Sequence, residues 1–239
     1  MKKLRLLSAV CAVAIGLVMS TVVNAVVIHE SATLGPTGVT FGYGIGDPTF
    51  LGSRFSITDT VSVDNVGGHL VQIEGNEGDT IFAAIISLSS STALPTGSPF
   101  NTSELMASTT FSIPFLSDDV LTPLSVTLAP GDYALIFGSD LFGANGTGAM
   151  PNNNSDISGS ASYFWWNGSN WSNTSFNVGD LRFVVTGTVV PIPAAVWLFG
   201  SGLLGLVGIA RRRRKTSSPL QQQPQRSHSP LRGPFHRHS

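Results

Sequence analysis

The chain has 239 residues, 42% hydrophobic and 11% charged, with a formal net charge of −1 and one cysteine. That total hides a segregation: Lys2, Lys3 and Arg5 open the chain, eight cations lie beyond residue 210, and only Arg54 and Arg182 stand between, where all 14 acids fall. The region 26–188 therefore carries a net charge of −12, which excludes nucleic acid as its partner and disfavours anionic lipid.

The three leading cations precede an apolar run over 6–23, and Val23-Asn24-Ala25 supplies small or medium residues before a cut between Ala25 and Val26. This order reads as a signal peptide over 1–25, which makes the Sec translocon and signal peptidase its partners. Cys11 lies within that segment, and the residues around it do not form a lipidation context. The mature chain is then free of cysteine, so its stability outside the cell rests on core burial and not on disulfides.

Across 26–188 the sequence is rich in Gly, Ser, Thr and Asn, with short branched and aromatic runs. Strands are predicted at 54–58, 61–63, 69–74, 80–88, 108–113, 124–128, 133–137, 161–166 and 181–187. Phe55/Ile57 and Leu124/Val126/Leu128 alternate with polar residues. Turn residues recur about every ten positions, and no window has a helical apolar period, so the expectation is all-β: a single antiparallel β-sandwich or barrel. Leu128-Ala129-Pro130-Gly131-Asp132-Tyr133 reads as a hairpin through a Pro-Gly turn. It resembles the hairpin of bacterial jelly-roll and pre-peptidase C-terminal β-sandwich modules, which implies a jelly-roll-like fold and no particular function.

Catalytic chemistry is thinly represented. The exported region holds two histidines, His29 and His69, and no Gly-x-Ser-x-Gly elbow. A strand-edge histidine is more often structural, and zinc lacks ligands at a workable spacing. Glu74, Glu77 and Asp79 with Asn76 fill a glycine-rich turn, a composition that suits calcium and equally a solvated turn. No other cofactor is expected. Trp165, Trp166 and Trp171 belong to the densest aromatic cluster; the rings offer a glycan-binding patch, and core packing around an Asn167-Gly168 turn explains the same pattern. Asn-x-Ser/Thr triplets, as at Asn145, Asn153 and Asn167, reflect turn composition.

The end of the chain is the most specific part. Val190-Pro191-Ile192-Pro193-Ala194 opens an uncharged run over 189–210, closed by Arg211, Arg212, Arg213, Arg214 and Lys215. As a helix the run covers about 33 Å, enough for a hydrocarbon core of about 30 Å, and the cations would hold its C-terminal side in the cytoplasm. The segment 189–215 resembles a PEP-CTERM sorting signal in its VPLPA-like variant. That resemblance implies an exosortase as partner, transient anchoring in the inner membrane of a Gram-negative bacterium, cleavage near the Pro-x-Pro element, and delivery to the cell surface or extracellular matrix, often beside exopolysaccharide. Ile192 stands where the namesake motif has Glu. Residues 216–239, rich in Pro, Gln, Ser, Arg and His, have no apolar period and are expected to be disordered.

These readings combine into four segments: signal 1–25, an acidic β domain 26–188, sorting signal 189–215 and tail 216–239. The expected role is a non-enzymatic structural or adhesive protein of the envelope or biofilm matrix. The alternatives are a carbohydrate- or calcium-dependent binding module and a secreted hydrolase.

Overall fold

The computed structural model describes residues 25–46, 48–75, 78–157, 162–173 and 181–190, and these belong to a compact unit whose C-terminal limit is Pro191. The expectations for 1–24, Glu77 and everything from 191 onward lie outside the described residues. Within them the fold is all-β, with antiparallel ladders and no α-helix. No described helix is long and apolar enough to cross a membrane.

The strands are β1 (Val26–Glu30), β2 (Ala32–Thr33), β3 (Tyr43–Ile45), β4 (Thr49–Ile57), β5 (Val61–Glu74), β6 (Thr80–Leu88) and β7 (Leu105–Ser112). They continue as β8 (Asp118–Leu128), β9 (Gly131–Gly138), β10 (Thr147–Met150), β11 (Ser155–Asp156), β12 (Tyr163–Asn167), β13 (Trp171–Asn173) and β14 (Phe183–Val189). One six-stranded sheet is built around β5. Its first half is flanked by β14 and β8, its second half by β10, and β1 and β3 lie outside β14 and β10. The other sheet runs β13-β12-β4-β9-β6-β7, and β2 pairs with β11 separately.

The two six-stranded sheets share one apolar cluster. Val63, Val66, Leu70, Leu128 and Phe183 come from the first, and Leu51, Ile81, Ile85, Leu135 and Phe137 from the second. Phe137 stacks on Phe183 with centroids 5.1 Å apart, joining the layers at their centre. Strand periodicity sends alternate residues to opposite faces, so β6 places Ile81, Ala83 and Ile85 in this core while Phe82, Ala84 and Ile86 enter a second one. That second cluster lies on the other face of β4-β9-β6-β12. It is covered by the 89–104 connection, through Leu94 and Phe100, and by Leu141 and Ala144. A strand buried on both faces reads as a continuous apolar run, and 80–88 does.

Polar groups fasten that cover. Arg54, only 5% exposed, donates from Nε to the Ala93 carbonyl at 2.7 Å and from Nη2 to Asn173 Oδ1 at 2.6 Å. Its guanidinium also lies 4.7 Å from the Phe164 ring centroid, and burial lowers its pKa. The Glu104 carboxylate accepts from the Thr96 and Asn101 amides. Arg182, the other cation of the region, donates through Nε and Nη2 to Asp119 at 2.9 and 3.0 Å and through Nη1 to Glu30. Burial works against its charge, but these acids outweigh it and raise its pKa. Both arginines are consumed internally, so no cationic side chain of 26–188 faces solvent.

Two sequence expectations are corrected. The strands placed at 61–63 and 69–74 are one strand, β5, running unbroken through Gly67-Gly68. The glycines are there for room: a Cβ on Gly67 would lie 1.8 Å from the Val120 carbonyl oxygen, and one on Gly68 2.0 Å from that of Arg182. The expected 128–133 hairpin is a crossover. β8 pairs only with β5, whereas β9 pairs with β4 and β6, so the Pro-Gly turn carries the chain from one sheet to the other. Turn chemistry dictates a reversal and says nothing about whether the flanking strands pair. Tyr133 fixes this corner: its hydroxyl donates to the Ala129 carbonyl at 2.9 Å, like the tyrosine corners of other β proteins, and burial raises its pKa.

Candidate functional sites

The candidate sites lie at opposite ends of β5. Chain entry and exit share one end. Val26 sits opposite Gly187 in the β1–β14 ladder, Val189 opposite Val61, and the Val190 amide donates to the Thr60 carbonyl at 2.8 Å. Of the expected sorting motif only Val190 is described, and it is still hydrogen-bonded to the body. The expected cleavage pair, Ala25 and Val26, lies at the same end, and both residues are exposed. A recess of about 230 Å³ opens there between Val26, Val27, Ile28, Ile57, Val61 and Val189.

Toward the far end of β5 lies an open groove of about 780 Å³. Pro114 ends the β7 side of the 113–117 connection, and Phe115 follows it 74% exposed. With Leu121 and Val120 of β8, this ring forms an apolar wall; Gln72, Ser112, Asp118 and Asp119 add polar groups. Asp119 is engaged by Arg182, leaving the exposed Asp118 as the groove's solvent-facing carboxylate. Sequence reading did not single out Phe115. The signal available was an aromatic stranded in a loop just after a proline.

The tryptophans point elsewhere. Trp166 and Trp171 are 5% and 9% exposed within the second core, while Trp165 is half-buried against the first. Trp171 Nε1 donates to the Pro99 carbonyl, locking β13 to the covering connection. Their hairpin forms as the composition suggests: Trp166 pairs with Trp171, Asn167 Oδ1 accepts the Ser169 and Asn170 amides, and Gly168 takes φ +90°. The rings therefore pack inward, and none of the three offers a fully exposed platform to a glycan.

The acidic turn is open to solvent at Glu74 and half-buried at Asp79. Among the described residues no three His, Cys, Asp or Glu side chains converge to hold a metal; Glu77 lies outside them.

Both histidines are structural in their surroundings. His29 is half-buried, stacks on Phe55 at 5.2 Å and shares a 3.0 Å hydrogen bond with Ser53 Oγ. Burial lowers its pKa to about 4, which keeps it neutral near pH 7. A Ser–His pair at this distance is the kernel of a nucleophilic dyad. Ser53, however, is 0% exposed, so no carbonyl substrate reaches its oxygen. His69 is also 0% exposed. The Asn154 amide donates to the Pro151 carbonyl and accepts from the Gly35 amide, so its oxygen faces His69 Nδ1 at 2.8 Å and places the imidazole proton there. The ring thereby ties β5 to the 151–157 segment.

The chain matches no protein-family model, and no curated protein matches it.

Proposed function

We propose that this is an exported β-sandwich protein of jelly-roll-like type, delivered by a signal peptide and sorted through its C-terminal segment. It resides as a single-pass inner-membrane precursor with a cytoplasmic C-terminus, then at the cell surface or in the extracellular matrix. Its role there is structural or adhesive, not catalytic. One observation carries this reading: the Pro-x-Pro element, apolar run and five cations of 190–215 stand in fixed order, directly after a folded unit that begins at β1. The placement of the side chains supports a non-enzymatic role. The Ser–His pair is sealed, and Glu30, Glu104 and Asp119 act as fasteners of the fold.

Mass spectrometry of the mature C-terminus in the native host tests the reading. The expected product lacks the residues beyond the Pro-x-Pro element, and a strain without its exosortase accumulates a larger, membrane-retained form. A chain recovered intact through residue 239 from wild-type cells rules the sorting role out.

A second reading, favoured by the groove at Phe115, is a binding module for neutral saccharides. An exposed aromatic ring stacks on sugar CH faces, and Asp118 accepts hydroxyl hydrogens beside it. Affinity electrophoresis in neutral polysaccharide gels should show retardation that Phe115→Ala abolishes. Equal retardation of both proteins refutes it.

A further inference from the structure

We infer that Asn167 is a site of spontaneous modification, where the chain's own backbone converts the side-chain amide to an aspartyl or isoaspartyl carboxylate with water as co-reactant. Neither sorting nor glycan binding is needed for it. The Gly168 nitrogen attacks Asn167 Cγ and gives up its proton to solvent; the bond from Cγ to the side-chain nitrogen breaks, and ammonia leaves. Water then opens the cyclic imide at either carbonyl. The sum is amide plus water to carboxylic acid plus ammonia. Glycine is the least hindered neighbour for this attack, since no Cβ crowds its nitrogen and its backbone turns freely. The sequence has two Asn-Gly pairs, at 145–146 and 167–168, and the fold treats them differently.

At Asn167 the parts are assembled. Its Oδ1 accepts the Ser169 and Asn170 amides at 3.0 and 2.9 Å. A side chain that bonds forward to these amides folds over the intervening Gly168 nitrogen, which brings Cγ toward its attacker. The same two N–H groups face the oxygen on which negative charge develops in the tetrahedral intermediate, and so stabilise it. Among the described residues the Gly168 amide donates to no acceptor. Residues 167–170 are all exposed, so base and water reach them. At Asn145 these conditions fail. Gly146 is buried, and its amide donates to the Thr80 carbonyl at 2.7 Å, which holds the proton that must leave. Asn145 Oδ1 instead accepts the Thr80 amide across the gap to β6, at 3.3 Å. A Cβ on Gly146 would lie 2.9 Å from the Thr80 nitrogen, so the backbone has little room to turn.

The product changes both charge and chain. Opening at the main-chain carbonyl reroutes the backbone through Cβ and Cγ of residue 167 and lengthens it by one methylene. That residue is in register with Thr49 of β4, and its amide closes the hairpin on the Asn170 carbonyl. Trp171 ties the same hairpin to the 89–104 cover through the Pro99 carbonyl. The isoaspartyl form therefore loosens this edge of the second sheet, and either form carries 26–188 beyond its net charge of −12.

The full chain is incubated at pH 8 in heavy-oxygen water, folded or unfolded in guanidinium chloride, then digested in ordinary water and mapped by mass spectrometry. Heavy oxygen at position 145 or 167 marks a carboxylate formed during the incubation. In the unfolded chain the two Asn-Gly pairs should react at rates within about twofold of each other, because fixed partners are gone. In the folded chain Asn167 should outpace Asn145 at least about tenfold, a modest share of what oxyanion donors contribute, and should react no slower than when unfolded. A smaller folded-state ratio overturns the inference. So does an Asn167 that reacts more slowly folded than unfolded, since the Ser169 and Asn170 amides would then restrain the side chain and not activate it.

Discussion

His29 gives the domain a specific acid sensitivity. Its folded pKa is lowered to about 4 from an ordinary 6.5, so the native state resists a proton that the unfolded chain accepts. Above about pH 7 both states are neutral and the effect vanishes. As the pH falls through 6.5 the unfolded chain binds the proton first, and stability declines until the native ring also titrates near 4. The full difference, about 2.5 pK units, corresponds to about 3 kcal/mol, and at pH 5 the two titration curves give about 2 kcal/mol. Among the described residues the ring's partners include no carboxylate to offset this: it meets Ser53 and Phe55, and Arg54 shares its recess. Urea unfolding of the wild type and His29→Gln at pH 7.5, 6, 5.5 and 5 measures the effect. The substitution lowers stability at pH 7.5 by removing the stack on Phe55, yet the gap between the proteins should narrow by about 2 kcal/mol on reaching pH 5. Contributions common to both proteins cancel in the difference. A gap constant with pH refutes the reasoning, as does an NMR titration of His29 with a midpoint near 6.5.

Three further outcomes follow from the packing. Trp166→Ala should cost about 3–5 kcal/mol, read as a lower urea midpoint, because the ring belongs to the second core; a loss under 1 kcal/mol would mean that the 89–104 cover is not a true core. Arg182→Met leaves Glu30 and Asp119 facing each other without their shared cation, and about 3 kcal/mol of destabilisation is expected; adding Asp119→Leu should recover part of it, measured by a double-mutant cycle. Gly67→Ala should cost about 3 kcal/mol by forcing β8 off β5, whereas Gly44→Ala, where the added methyl meets nothing within 4 Å, should change stability little.

The class of fold was legible because it depends on local pattern. The 80–88 run coincides with β6, and 133–137 and 181–187 fall mostly within β9 and β14. What stayed hidden depends on distant partners. Gly67-Gly68 looks like a strand break when only neighbours are counted, yet the pair is needed by carbonyls at Val120 and Arg182. β1 carries Val, Ile and His like many loops and becomes a strand only because β14 lies beside it. The tryptophans posed the reverse problem: their alternation was visible, but the layer that covers them comes from 89–104, a turn-rich stretch with no strand character of its own. The Phe115 groove joins β5, β7 and β8 at one end, an assembly no local window contains.

The place of β14 also sets a clock. β1 is the first of the described strands to be synthesised, and its ladder partner is the last, with Val26 opposite Gly187. At about 5–20 residues per second of synthesis, some 160 residues separate the two in time by about 8–30 s. Through that interval β1 lacks its ladder, and the β14 side of Val61–Gly68 lies open. The sheet closes only once residues 183–189 have been made. Completion of the fold thus waits for its last strand, and a chain truncated before β14 never closes its first sheet.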